Sequence, residues 1–402
     1  MTLGVIAFIV ALLVSVMIHE FGHYFFARRF GMKVTEFFVG FGPRLWSFVR
    51  GETEYGIKAI PAGGYVRIVG MTADEPMSAE DRSRAFYTKS ATQRIIVLAA
   101  GSVSHFIIGF LLILLIFAGL GTLRESTSVS AVADCVPVAE ETCTSTSDPS
   151  PAKQAGLRSG DEIVAIDGVA IDSWDQLLLI IRGSAGERLE ITVERDGARQ
   201  TITATPVSRE RPSLDDPEVI DRNAGVLGFA PGSETVRQPV GTAVVTAGKE
   251  TGRIIAASIG GLASIPSKIP ELFAQTFGDE ERDAESLVGV YGVARVSGQT
   301  LGADQVPWTA RLAYFLFIIA SLNIFVGLFN AVPLPPLDGG HILVAVIDGA
   351  KRARARRRGE PAPAPFDITR LAPITYTVFG LLVFLTVMLL AADILNPINL
   401  GL

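Results

Sequence analysis

The chain has 402 residues, of which 49% are hydrophobic, and its mean hydropathy is +0.40. A soluble protein of this length is usually more polar, so the composition argues against an ordinary soluble domain and predicts several membrane-spanning segments. The formal net charge of −6 comes from one acidic region between two of these segments, and so it gives no indication of nucleic-acid binding.

Charge-free stretches that could form membrane helices occur at Leu3–Ile18, Ile95–Leu123, Leu312–Leu337 and Leu371–Ala392. A helix that crosses about 30 Å of hydrocarbon needs roughly 20 residues. The last three stretches are long enough, whereas the first reaches this length only if its helix continues to Ala27. Because the first stretch lacks the basic region and the cleavage site of a signal peptide, we expect it to be a retained membrane helix.

The first predicted helix contains the sequence His19-Glu20-Phe21-Gly22-His23. Side chains four residues apart lie on nearly the same helix face, so both imidazoles can bind one metal ion. Zinc lowers the pKa of bound water from about 15.7 to about 7, and Glu20 is placed to accept the proton. A glutamate within a membrane helix costs roughly 2.5–3.5 kcal/mol, which makes a merely polar helix end the weaker interpretation.

The residues after this helix, Val34–Met71, are rich in glycine and in apolar residues separated by Gly and Pro, a pattern typical of short strands in hairpins. Residues 72–91 are polar and are predicted to form a loop that leads to the second membrane helix.

A compact domain is predicted between the second and third membrane helices. The sequence Ala155–Gly168 is followed by a helical segment, Ser173–Arg182, and by two strands, Leu189–Arg195 and Gln200–Pro206, joined through an Asp-Gly turn. This order and the Gly-Leu-x-x-Gly-Asp-x-Ile sequence resemble a PDZ domain of the circularly permuted bacterial type. Such domains bind extended chains or C-termini by strand addition.

Residues 208–306 have weaker signals. The apolar stretch Ile254–Ser267 is short and is interrupted by glycines and by Pro266, so we expect an amphipathic helix at the membrane interface rather than a fifth span. The two cysteines, Cys135 and Cys143, either form a disulfide or remain free thiols, and the sequence leaves both open.

A third metal ligand is predicted at the end of the third membrane segment. Asp338 is the carboxylate that follows 26 apolar and neutral residues, in a region whose prolines break the helix. A catalytic zinc site needs three protein ligands and one open position, and Asp338 completes such a set with His19 and His23. The alternative is a turn residue before two glycines.

Basic residues predict the orientation of the chain. Residues 28–94 contain 11 Lys/Arg against 7 Asp/Glu, and 6 of the 8 residues at 351–358 are basic, whereas residues 124–304 contain 16 Lys/Arg against 28 Asp/Glu. The two basic loops are therefore expected in the cytoplasm, with the acidic loop and both termini outside. The run at 351–358 is interpreted as a topology anchor that contacts anionic lipid.

Together these features give a fold class, an α-helical membrane protein with four transmembrane helices, a membrane-associated β-hairpin region and an extracytoplasmic α+β PDZ-like domain. The predicted segments are 1–30 (first helix with the metal motif), 31–91 (β region and loop), 92–123 (second helix), 124–207 (PDZ-like domain), 208–306 (juxtamembrane region), 307–347 (third helix and Leu-Asp-Gly segment), 348–370 (basic loop) and 371–402 (fourth helix).

The His-Glu-x-x-His sequence, the Leu-Asp-Gly sequence and the PDZ-like domain between them resemble the site-2 protease family. The closest group is the single-PDZ bacterial type that cleaves membrane-bound anti-sigma factors. The resemblance implies that His19, His23 and Asp338 bind one Zn²⁺ per chain and that Glu20 is the general base. It further implies single-span membrane proteins as substrates and the bacterial inner membrane as the location.

The resemblance also implies substrate-binding residues. Asn330, seven residues after Asn323, matches a family asparagine that holds the substrate backbone or stabilises the oxyanion. The β region, shaped by Gly63 and Gly64, is implied to pair with the unwound substrate, while an ordinary cytoplasmic hairpin is the alternative. The PDZ-like domain is implied either to exclude bulky ectodomains or to bind new C-termini.

One sequence departs from the family pattern. Where the family has Gly-Pro-x-x-Asn, this chain has Ser102 and His105 in place of the proline and the asparagine. His105 is interpreted as a substitute hydrogen-bond donor at the active site, with a packing histidine and an additional metal ligand as alternatives. His341 is interpreted as a neighbour of the site rather than a ligand, because a fourth ligand would close it.

Two other functions compete with proteolysis. A non-catalytic membrane adaptor that uses its PDZ-like domain would not need Glu20 beside two metal-binding imidazoles. A metal transporter would need polar ligands along several spans, and the first and last predicted spans contain no charged residue.

Overall fold

The structure is a computed structural model, which describes residues 2–71, 77–137, 143–144, 147–214, 216, 219–278, 282, 286–361, 363–364, 366 and 368–397. The chain divides into two compact units, Thr122–Val236 and the remainder, which comprises Met1–Gly121 and Arg237–Leu402. We refer to Thr122–Val236 as the inserted unit and to the remainder as the helical unit.

The helices are, in chain order, α1 (Thr2–Arg29), α2 (Ala79–Arg82), α3 (Ala91–Leu115), α4 (Pro151–Gln154), α5 (Trp174–Gly183), α6 (Val240–Phe277), α7 (Val290–Gly302), α8 (Trp308–Asn330), α9 (Asp338–Arg358) and α10 (Ala372–Leu395). The strands are β1 (Val34–Arg50), β2 (Thr53–Ile68), β3 (Thr122–Val132), β4 (Glu162–Ile166), β5 (Val169–Ala170), β6 (Leu189–Arg195), β7 (Ala198–Ala204), β8 (Val207–Pro212), β9 (Ile220–Val226) and β10 (Phe229–Val236).

The prediction of four membrane helices is confirmed. Within the described residues, the helices long and apolar enough to cross a membrane are α1, α3 with its π-helical extension to Leu120, α8 and α10. The third predicted stretch ended at Leu337, whereas α8 ends at Asn330. Prolines in the segment between α8 and α9 lack the N–H that a continuing helix needs, so a turn separates the two helices.

Helix α6 differs from the short interfacial helix predicted at Ile254–Ser267. It spans 38 residues and continues through the glycines and through Pro266 and Pro270. Each internal proline removes one backbone hydrogen bond. The other backbone hydrogen bonds are enough for α6 to remain one helix across both prolines. Helix α6 lies outside the group of described helices that meet the length and hydropathy requirements for a membrane span.

Strands β1 and β2 fold back on themselves and form a four-segment mixed sheet, in which 34–39 runs antiparallel to 64–68 and parallel to 54–57. Phe37 pairs with both Tyr55 and Val66, so the first part of β1 lies between two parts of β2. The order across the sheet is 64–68, 34–39, 54–57 and 46–50. The edge segment 64–68 packs against α1, because a Cβ atom at Gly64 would lie 2.5 Å from Met17 Sδ.

Close helix contacts position α1 near its start and beside the two histidines. A Cβ atom at Gly4 would lie 2.7 Å from Gly298 Cα in α7, and one at Gly22 would lie 2.8 Å from the Ala100 oxygen in α3. Only glycine permits backbones to approach this closely, as small residues do in packed membrane helices.

The inserted unit is built on a sheet of order β10-β3-β4-β6-β7, with β5 beside β4. Its core contains buried aliphatic side chains from the sheet and from α5, including Ile163, Ile191, Val193 and Leu177. The predicted hairpin turn is present, since Asp196 and Gly197 both have positive φ between β6 and β7. The unit continues beyond the predicted boundary at 207 to Val236, and Cys135 and Cys143 form a disulfide.

The Gly-Asp of the predicted PDZ-like sequence has a structural role. Both Asp161 carboxylate oxygens accept hydrogen bonds from Arg195, from Nε at 2.6 Å and from a terminal guanidinium nitrogen at 2.7 Å. The backbone N–H of Arg158 donates to the same carboxylate at 2.8 Å. The Arg195 hydrogen bonds hold the pKa of Asp161 below its usual value, against the opposing effect of burial.

Candidate metal centre

The two histidines of the predicted motif meet on one face of α1. His19 and His23 are 7% and 6% exposed, and their Nε2 atoms lie 3.1 Å apart. This follows from the helix, in which residues four apart lie one above the other. The spacing predicted from the sequence is thus present as a pair of nitrogens that face a common point.

Asp338 supplies the third atom. It begins α9, immediately after the turn that follows α8, and its Oδ2 lies 3.3 Å from His19 Nε2 and 3.4 Å from His23 Nε2. Tetrahedral zinc with bonds of about 2.0–2.2 Å separates its ligand atoms by about 3.3–3.6 Å. Both separations from Asp338 fall in this range and the 3.1 Å between the two histidine nitrogens is slightly below it, so small side-chain shifts allow the three residues to hold one zinc ion.

The hydrogen bonds around the three side chains indicate which of their atoms are free to bind a cation. His23 Nδ1 lies 2.7 Å from the Val97 carbonyl oxygen, which can only accept, so Nδ1 carries a proton. In a neutral imidazole this leaves the lone pair on Nε2, facing the site. Within the described part of the chain, Asp338 Oδ2 is buried without a hydrogen-bond partner. A cation between this oxygen and the Nε2 atoms of His19 and His23 accounts for their arrangement.

Glu20 lies between the metal-binding residues and the sheet. Its carboxylate is near the backbone of Val66, which belongs to the edge segment 64–68 of β2. The acidic side chain next to the two histidines is therefore also next to an edge strand.

Helix α3 forms the back of the site. A Cβ atom at Gly101 would lie 2.5 Å from His23 Nε2 and 2.5 Å from His19 Cε1, so any larger residue would displace the two imidazoles. Neither Gly101 nor the Val97 carbonyl was predicted from the sequence to have a role at this site. A glycine in the middle of an apolar helix, where it costs about 1 kcal/mol relative to alanine, was the available signal.

His105 takes part in a buried chain of polar groups from three helices. Asn323 Nδ2 donates to the Ile319 oxygen at 2.8 Å and to Ser15 Oγ at 3.1 Å, which directs its Oδ1 toward His105. His105 Nδ1 donates to that oxygen over 2.8 Å. The neutral ring therefore presents Nε2 as an acceptor, and its centroid lies 5.0 Å from that of His19.

The other predicted site residues occupy several different elements. Asn323 is 2% exposed, and its amide is occupied by the contacts just described. Asn330 is half-buried at the last position of α8, and Gly63 is in β2 with a φ of +135°. His105 and His341 lie outside the group of described residues whose ligand atoms meet at one point.

The inserted unit contains an apolar groove between α5 and the segment 225–230. Its volume is about 420 Å³, and its walls include Leu178, Ile181, Leu227 and Phe229. Cys135 of the disulfide also lines it. Strand β10 ends the sheet order, so within the described residues its second edge has no strand partner.

Comparisons with known proteins agree with this geometry. The model of peptidase family M50 matches residues 7–367. The chain is 36% identical to the zinc metalloprotease Rip1 of Mycobacterium tuberculosis over 99% of this chain and 98% of that protein. It is 27% identical to the regulator of sigma-E protease RseP of Salmonella typhimurium, over 86% of this chain and 90% of that protein.

A solved structure with local similarity is the PDZ domain of an SdrC-like protein from Listeria monocytogenes. It is 17% identical with a TM-score of 0.19, and the match covers 27% of this chain and 88% of that domain.

Proposed function

This chain belongs to peptidase family M50, and on that premise we propose that it is an intramembrane zinc metalloendopeptidase of the site-2 type. Its substrates are single-span membrane proteins, with anti-sigma factors as the expected class. The single observation that carries the proposal is the triangle of His19 Nε2, His23 Nε2 and Asp338 Oδ2, with sides of 3.1–3.4 Å, in helices that suit a bilayer.

The metal-binding residues are His19, His23 and Asp338, which together hold one Zn²⁺. Zinc, when bound, supplies Lewis acidity and a water nucleophile that is deprotonated at neutral pH. Glu20 is the general base that accepts the proton of the attacking water and passes it to the leaving amine. The hydrogen bond between His23 Nδ1 and the Val97 carbonyl keeps the imidazole in the tautomer that binds a metal.

The edge segment 64–68 is proposed to bind the substrate. A transmembrane helix satisfies its peptide groups internally, so cleavage requires the substrate to unwind and to find new hydrogen-bond partners. Addition to a sheet edge supplies them. Because Val66 of this segment is near Glu20, a chain paired here would pass the general base. Gly63 and Gly64 add no side chains of their own to this part of the strand.

The polar residues beside the metal complete the substrate site. Asn330 contacts the substrate backbone or the oxyanion. His105, whose Nε2 is an acceptor, receives a hydrogen bond rather than donating one, in contrast to the donor role predicted from the sequence. Asn323 acts through His105, because its own amide is occupied by Ile319, Ser15 and His105.

The inserted unit is proposed to be a PDZ-like domain on the extracytoplasmic side of the bacterial inner membrane, with both termini on that side. Its apolar groove and the unpaired edge of β10 suit an extended chain, either the ectodomain or the new C-terminus of a substrate that has already been trimmed.

Cleavage of a single-span substrate in reconstituted vesicles tests the proposal. We expect Glu20→Gln to reduce the cleavage rate by about 10²- to 10⁴-fold, because a general base contributes that much, while the zinc content stays at one per chain. Glu250→Gln, which removes a carboxylate on α6, is the matched control and should cleave at the wild-type rate. Equal cleavage by wild type and Glu20→Gln would refute the mechanism, and a purified wild type without zinc would refute the metal site.

A further inference from the structure

A buried ion pair joins α3 to α9 at a distance from the metal centre. A terminal guanidinium nitrogen of Arg94 donates to Asp348 Oδ2 at 2.9 Å, and the two side chains are 5% and 3% exposed. The other Asp348 oxygen accepts the backbone N–H of Phe366, also at 2.9 Å. Both oxygens of the carboxylate are therefore in use, and none of these groups takes part in the proposed reaction.

The two paired residues lie on the two helices that shape the metal centre. In α3, Arg94 precedes by one turn the Val97 carbonyl that orients His23, and by two turns Gly101, which abuts both imidazoles. In α9, Asp348 lies ten residues after the metal-binding Asp338, about 15 Å along a straight helix. In α3 the ion pair is therefore one to two turns from the groups that contact the imidazoles, and in α9 the ion pair lies at mid-helix while Asp338 begins the helix.

Helix α9 is held tightly where the pair forms. A Cβ atom at Gly349 would lie 2.8 Å from Ala91 Cβ, and the Val344 and Ala345 side chains are buried. Because a helix transmits an axial shift along its length, a slide of α9 against α3 would displace Asp338 by the same amount. Metal sites tolerate only about 0.5 Å of such displacement.

An ion pair controls sliding better than apolar packing does. Buried pairs rarely add net stability compared with apolar residues of the same size, but their charged atoms must meet at one register. Apolar surfaces, by contrast, pack acceptably in several registers. The Arg94 side chain is further positioned over the Phe86 ring, with its guanidinium carbon 5.8 Å from the centroid.

We propose that Arg94 and Asp348 are positioning residues of the metal centre, which set the register of α9 against α3 and thereby place the Asp338 carboxylate opposite His19 and His23. The proposal rests on the metal site of the proposed function, and its test measures metal binding, so failure of proteolysis and failure of this proposal are distinguishable.

The test uses the full-length protein in detergent, with Co²⁺ in place of Zn²⁺ because its visible absorption reports coordination geometry. We expect Asp348→Asn and Arg94→Gln to bind Co²⁺ about 10-fold more weakly in competition with a chelator, and to show a shifted or weaker absorption band. Arg94→Lys, which keeps the charge, should recover part of the affinity. Glu250→Gln and Arg253→Gln remove an exposed ion pair on α6 and should match the wild type.

A second variant separates register from folding. The combined change Arg94→Met and Asp348→Leu fills the same space without charge, so it should fold, as judged by circular dichroism and thermal unfolding, and still bind Co²⁺ about 10-fold more weakly. Wild-type affinity and absorption in Asp348→Asn or in this apolar pair would overturn the proposal. Wild-type protein that binds Co²⁺ but cleaves no substrate would refute the proposed function alone.

Discussion

The metal centre of the helical unit and the Asp161–Arg195 pair of the inserted unit are both buried clusters built around a carboxylate, yet they are satisfied differently. Asp161 accepts hydrogen bonds from Arg195 and from the Arg158 backbone, so its charge has partners in the protein. Asp338 Oδ2 faces two imidazole nitrogens without a hydrogen bond. A buried carboxylate whose oxygens have hydrogen-bond donors contributes to stability. A buried carboxylate oxygen without a donor indicates that a ligand such as a cation belongs there.

The largest effect is expected from removal of the Asp338 carboxylate. We expect Asp338→Ala to bring cleavage below detection and to lose bound zinc, because two histidines alone leave the ion underligated. The metal-free variant should unfold at the same temperature as metal-free wild type, since no satisfied interaction is removed. Zinc analysis, cleavage in vesicles and thermal unfolding measure the three quantities. A metal-free variant clearly less stable than metal-free wild type would show that Asp338 is a structural residue.

A smaller change to the same cluster is Gly101→Ala. The added methyl group would lie 2.5 Å from His23 Nε2, so the imidazoles must move and metal affinity should fall about 10- to 100-fold. Chelator competition measures the affinity. Gly183→Ala, at a position with open space around its Cβ, is the matched control and should bind zinc as the wild type does.

A change to the Asp161–Arg195 pair should lower stability and leave zinc binding unchanged. Asp161→Asn leaves Arg195 without its carboxylate, and we expect the inserted unit to lose about 2 kcal/mol of stability, the range for hydrogen bonds to charged groups. Hydrogen exchange of peptides from β4 and β6 reports this loss. Zinc content should remain at the wild-type level, and a parallel loss of zinc would contradict the division of roles.

The least disruptive test is acidification. Because the folded-state pKa of Asp161 lies below its unfolded value of about 3.9, its stabilisation is complete above that value and decreases as the pH falls through the folded-state pKa. Hydrogen-exchange protection of the inserted unit should therefore decline below about pH 4. In Asp161→Asn this component of the decline should be absent, and an unchanged pH profile would show that the pair does not contribute to acid sensitivity.

The sequence predicted the parts of the fold that depend on local pattern. The four membrane helices follow from hydropathy, the pair of histidines from helical spacing, and the β6–β7 turn from its Asp-Gly pair. Asp338 was expected near His19 and His23 because a zinc site needs a third protein ligand. In the structure its carboxylate lies beside both histidines.

The remaining features depend on contacts between distant segments. Helix α6 was expected to be short because Pro266 is a helix breaker, yet the helix continues through it. The double pairing of Phe37 and the tautomer of His105, set by Asn323, each require a partner that no local pattern identifies. The ion pair of Arg94 and Asp348 joins residues 254 positions apart, and its two members appear in the sequence as ordinary charges near membrane helices.

The glycine contacts of α1 determine which parts of the molecule are free to move during a reaction. Gly4 packs α1 against α7 near the start of the helix, and Gly22 packs it against α3 two residues after Glu20. Because backbone lies against backbone at both positions, we expect α1 to move little against these two helices during a reaction. A substrate should then reach Glu20 through movement of other elements and not of α1.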